Sequence, residues 1–219
     1  VNFDQLQTEA ARRASLEGWT EVSPPPDWAS LINEAWREFS WETECVVSMA
    51  TVSGGTVAGQ AEYTLAKPYW KSLTDVWVNQ VALSISSAIF EREGDPNWVF
   101  LASGTPTRAF LSAVDRLMLM PPPSTGGQEI RLRGIREGST LSAPTDEPAV
   151  PYRFHKGIVY GAVLLHAEAY AQGASLERVQ WYNERYRELV AETKRYLAPL
   201  RMRAVSRTVR ARPMGRIWL

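Results

Sequence analysis

Two histidines, one cysteine and two close pairs of carboxylates are the residues here whose chemistry could reach beyond packing. A metal site needs three or more such ligands converging on one point. His155 and His166 share a face of one expected helix, but at about 1.5 Å rise per residue they stand roughly 16 Å apart, too far for one ion. Cys45, the single cysteine, can form neither an intramolecular disulfide nor a zinc site unaided, and is expected as a small buried hydrophobe on a strand. Glu42 and Glu44 are expected on one side of a strand and Asp146 and Glu147 in a connector, neither pair with a third ligand in register. Gly54, Gly55 and Gly59 are followed by no Gly-Lys-Ser/Thr and are flanked by strand patterns, which suits a hairpin rather than a phosphate loop. No G-x-S-x-G, H-E-x-x-H or Cys-His arrangement nominates a nucleophile. The expectation is no catalytic residue, no metal and no cofactor, hence not an enzyme.

The elements carrying these residues follow from hydrophobic period. Phe3, Leu6, Ala10 and Ala14 mark a helix over about 3–16, and Trp28, Leu31, Ile32, Ala35, Trp36 and Phe39 another over about 27–41, with Asp27 at its entry. The period then falls to two. "ECVVSMATVSGGTVAGQAEYTL" predicts two strands joined as a hairpin around Gly54–Gly59, "TDVWVNQVALS" continues as strand, and "TRAFLSAVDRLMLMPPPSTGGQEIRLRGIRE" offers three more. "SSAIFEREGDPNWVFL" is ambiguous and can be read as a short helix followed by a turn at Asp95-Pro96. After the connector "STLSAPTDEPAVP", residues 152–172 form a helix apolar on nearly every side, and 176–197 an amphipathic one stopped by Pro199. Blocks rather than alternation predict an α+β fold. The expected form is a helical bundle of N- and C-terminal helices with a β-rich insertion over about 44–135, a single domain over 1–198, and an extended C-terminal arm over 199–219.

The 219 residues are 45% hydrophobic and 22% charged, as in a globular domain, and include nine tryptophans. Net charge is zero, but the six arginines of "RMRAVSRTVRARPMGRIWL" conceal an acidic remainder: residues 1–200 hold 18 basic groups against 24 acids, about −6. No 18-residue apolar run exists, and "VNFDQLQTEAARR" lacks the layout of a signal peptide, so a soluble protein made in a reducing cytoplasm is expected, without a membrane. Arg201, Arg203, Arg207, Arg210, Arg212 and Arg216, with the apolar Ile217, Trp218 and Leu219, are the candidate partner-binding residues. Such an arm could bind nucleic acid through phosphates, or lie on another protein with arginines on acids and Trp218 in a pocket. A DNA binder should also carry basic residues on its folded body, whereas this body is acidic.

The order of motifs resembles the head-to-tail adaptor (connector) proteins of tailed bacteriophages. The resemblance spans about residues 24–196 and rests on "DWASLINEAWREFSWET", on Gly59, Tyr63 and Leu65 of "GQAEYTL", and on Gly104, Pro106 and Phe110 of "SGTPTRAFL". It continues with Asp146, Pro148, Pro151, Phe154 and His155 before the apolar helix. It implies a non-enzymatic virion protein of the neck, synthesised in the host cytoplasm. Such proteins form a homo-oligomeric ring, commonly a dodecamer, between the portal protein and a downstream tail or stopper protein, and genomic DNA passes through without sequence-specific binding. The arm would then dock on the portal or a neighbouring subunit. A nucleic-acid-binding protein with a basic tail, and a tail or receptor-binding component, are the alternatives.

Overall fold

Asn2 starts the first helix: its side chain accepts from the Gln5 amide while Gln5 reaches back to the Asn2 amide, a reciprocal cap. In this computed structural model, which describes residues 1–19, 26–89, 91, 101–170 and 175–209, with 170 and 200–209 as backbone only, helix α1 spans Phe3–Leu16. Its buried face is Phe3, Leu6, Ala10 and Ala14, as the period predicts. Helix α2 spans Trp28–Thr43, capped by Asp27 on the Ser30 amide, and buries Ile32, Ala35, Trp36 and Phe39. A 3-10 turn at Tyr152–Phe154 leads into α3, His155–Tyr170, and α4 spans Leu176–Val209. Glu42 therefore lies in α2 and Glu44 is its left-handed cap, not a strand pair, while Cys45 is half-buried ahead of the first strand.

The helices form one compact unit, Val1–Cys45 with Ser142 onward, and the strands form another, Val46–Leu141. The expected bundle of N- and C-terminal helices with an inserted β region and an extended arm is corrected to a mixed α+β fold, with four helices among the described residues and a seven-stranded curled sheet. A bundle aligns helices of matched length. Here α1, α2 and α4 all pack on the apolar α3, whose 16 residues rise about 24 Å, while the 34 residues of α4 rise about 51 Å. Pro199 does not end α4 but lies inside it. Proline removes one backbone donor, yet the Leu-Arg-Met-Arg-Ala run that follows it favours helix, so the residues expected as an arm are helical as far as Val209. Residues 210–219 lie outside the described residues, as do 90 and 92–100 of the ambiguous stretch.

The sheet runs β1 (Val47–Thr51), β7 (Ile130–Arg136), β3 (Trp70–Val78), β4 (Val81–Ile85), β5 (Arg108–Ala113), β6 (Arg116–Met120), β2 (Glu62–Thr64). The expected β1–β2 hairpin is absent: β1 pairs with β7 and β2 with β6, at opposite edges. The backbone between them is satisfied elsewhere, Val52 N on Ile130 O at 2.9 Å and Thr56 N on Gln128 O at 2.8 Å. The tight turn sits instead inside the stretch read as one strand, where Asn79 and Gln80 both take positive φ between β3 and β4. All pairs are antiparallel except β4–β5. Curling brings Tyr63, Trp70, Val76, Leu117, Leu119 and Ile130, from four strands, into one core.

Candidate interaction surface

The motif residues divide into two structural knots. In the sheet unit, Tyr63 is buried and its hydroxyl accepts from Val57 N at 3.1 Å and donates to Gln60 O at 2.8 Å, fixing the loop that contains Gly59. Gly59 N donates to Pro123 O at 2.7 Å, Gly104 N to Pro122 O at 2.8 Å, and Ser124 N to Gly104 O at 2.8 Å. Thr56 closes the same knot, donating to Thr125 O at 2.9 Å and accepting from Gln128 N at 3.0 Å. The glycine-rich loop, "SGTP" and "PPPSTGG" thus meet at one end of the sheet, and these motifs serve backbone hydrogen bonding rather than chemistry.

In the helical unit, the Asp146 carboxylate accepts from the amides of Ser142 at 2.7 Å and Ala143 at 2.8 Å, which holds its pKa below the usual carboxylate value. Its carbonyl accepts from Phe3 N at 2.8 Å, pinning the start of α1. His155 pairs through Nε2 with Val150 O at 2.9 Å, and burial pushes its pKa down against the pull of that carbonyl. His166 pairs through Nε2 with Trp19 O at 2.6 Å and stacks on Trp28, ring centroids 5.0 Å apart. Both histidines are buried structural ties. Among the described residues no group of three or more His, Cys, Asp or Glu is placed to hold a metal ion, and no helix is long and apolar enough to cross a membrane.

What remains as an unclaimed surface is a face of α2 and α3. Glu34, Glu38 and Glu42 recur every fourth residue of α2, so they line one exposed face. Glu168 of α3 joins them: burial and the charges of Glu34, Glu42 and Glu168 push the Glu38 carboxyl above its ordinary pKa, with Arg37 opposing. Beside this face runs an open groove lined by the acidic Asp27, Glu34 and Glu168, by Ser30, and by the apolar Leu31, Leu165 and Ala169. The helices approach closely because α3 offers Gly157 and Gly161 to them. A Cβ on Gly157 would collide with the Phe39 ring, and one on Gly161 would come within 3.1 Å of Ala35 and 3.3 Å of Tyr186. Tyr186 lies across this seam with its ring edge on Phe39, centroids 6.1 Å apart. Its hydroxyl is buried without a hydrogen-bond partner among the described residues, and burial with the charges of Glu42 and Glu38 raises its pKa well above the ordinary phenol value.

Of the residues nominated from sequence, Arg201, Arg203 and Arg207 lie on α4, and Arg210, Arg212, Arg216, Ile217, Trp218 and Leu219 fall outside the described residues. The acidic face was not nominated, although "NEAWREFSWE" carries its signal in the repeat of glutamate every four residues. No curated protein matches the chain. The model of the SU10 adaptor protein family matches residues 1–212, which takes in both compact units and five of the six arginines from Arg201 onward. With its motifs accounted for as structural ties and a match over nearly its whole length, the chain belongs to the SU10 adaptor protein family, a family of phage adaptor proteins.

Proposed function

We propose that this chain is a structural protein of the phage neck, whose copies form a ring that joins the portal protein to a downstream tail or stopper protein and continues the DNA channel. The family match over residues 1–212 carries the reading. Charge supports it: about −6 over residues 1–200 suits a wall past which DNA must slide without sticking, since like charge keeps phosphates off. The basic residues that follow suit docking, because contacts repeated around a ring multiply weak binding into a lasting joint. A twelve-fold ring, as in the proteins the sequence resembles, is the stoichiometry proposed.

The test is negative-stain microscopy of the chain mixed with its phage's purified portal, comparing the full chain with a version ending at Val209, where α4 ends. Rings capping the portal support the reading, and loss of capping on truncation makes residues 210–219 the docking arm. If neither version binds portal while the full chain retains DNA in a salt-sensitive way, the protein is a nucleic-acid binder instead.

A further inference from the structure

We propose that the acidic groove of α2 and α3 receives the arginine-rich segment Arg210–Leu219 of a second copy of this chain. The inference rests on the ring reading above and names the joint between neighbouring copies. Two features of the groove call for a cationic, partly apolar strand: the carboxylates of Asp27, Glu34 and Glu168 line it together with Leu31, Leu165 and Ala169, and the exposed Glu38 and Glu42 continue the same acidic face along α2. A guanidinium is donor-only and planar, so each arginine can pair with a carboxylate of this face. Glu34 and Glu42 lie about 12 Å apart along α2, and Arg212 and Arg216 reach up to about 13 Å apart in an extended strand. With Arg212 at Glu42 and Arg216 at Glu34, Trp218 falls beyond Glu34, where Leu31 and Leu165 line the groove.

Chain length selects a second copy over the chain's own segment. From Tyr186 to Val209 the helix covers about 35 Å, whereas the chain from Val209 to Trp218 spans at most about 32 Å. Gly161 meets Tyr186, and Leu165 and Glu168 lie further along α3, toward the residues that join it to the start of α4. The groove is thus farther from Val209 than Tyr186 is, beyond the reach of the same chain.

The experiment replaces Trp218 with the photo-crosslinking residue p-benzoylphenylalanine in the full chain, mixes ordinary and heavy-nitrogen-labelled copies, and maps crosslinks with and without purified portal. The expected product joins residue 218 of one isotope to residues 27–42 or 165–169 of the other. Glu34→Arg with Glu38→Arg, both exposed positions, should lose it, as should Arg212→Glu with Arg216→Glu. Mixing those two variants should restore it, because each supplies the half that the other lacks. Crosslinks within one copy, crosslinks elsewhere on a second copy, or no crosslink between copies would each overturn the proposal. Crosslinks to portal alone while rings still cap it would overturn it too, and would leave the adaptor reading standing.

Discussion

Tyr63 and Tyr186 are both buried phenols, yet their hydroxyls play opposite parts. The Tyr63 hydroxyl is used twice within its own loop, so Tyr63→Phe removes both bonds and should cost about 0.5–1.5 kcal/mol in urea unfolding. The Tyr186 hydroxyl has no hydrogen-bond partner among the described residues, so Tyr186→Phe should leave the unfolding midpoint unchanged or slightly raised. Glu38 shows the same conflict. Its raised pKa means that the folded state favours the protonated acid, a contribution present below the unfolded value and lost as pH rises through the folded one. Glu38→Gln should therefore raise the thermal midpoint at pH 7, with the gain vanishing as pH falls toward 4.5. His155 runs the other way: burial depresses its pKa, so the stability it contributes is present above its unfolded value and lost as pH falls through the folded one. Urea midpoints of the full chain should decline as pH drops below about 6.5, and His155→Gln should flatten that decline.

At the scale of elements, the approach of α2 to α3 depends on glycine where Phe39 leaves no room for a methyl group. Gly157→Ala should destabilise by about 1–3 kcal/mol through overpacking, and Phe39→Leu in the same chain should return part of the loss, a coupling that a helix-propensity effect would not show. Helices α1 and α2 were legible because cap and period coincide: Asn2 and Asp27 stand immediately before stripes that end up buried. The helix past Pro199 was not legible, because a proline reads locally as a stop. Nor was the pairing of β1, since strands flanking a glycine-rich loop read as a hairpin, whereas Thr56 finds its partners at Thr125 and Gln128, far along the chain. Asn79 and Gln80 make the tight turn without a glycine to announce it. The acidic face went unread for a different reason: exposed charge on a helix is ordinary, and what distinguishes this one is the groove beside it, which no local pattern announces.

For the whole molecule, the distribution of charge decides how association should respond to salt. The full chain is neutral on balance, but removing residues 210–219 takes away three arginines and no acid, leaving 21 basic groups against 24 acids, about −3. Copies that met through their folded units alone would bring like-charged surfaces together, and salt would relieve that repulsion and favour assembly. Copies that meet through an arginine-rich segment on an acidic groove lose attraction as the screening length falls from about 10 Å at 0.1 M salt to about 3 Å at 1 M. The sign of the salt dependence therefore separates the two arrangements without any structure of the ring. Mass photometry of the full chain should show assemblies dispersing as sodium chloride rises through that range. The chain ending at Val209 should keep its helical content and unfolding midpoint yet show no assemblies at low salt, because what it lacks is a contact between copies and not a part of either fold. Assembly of the full chain that strengthens with salt would place the joint on apolar surface of the folded units and leave the arginines to another partner.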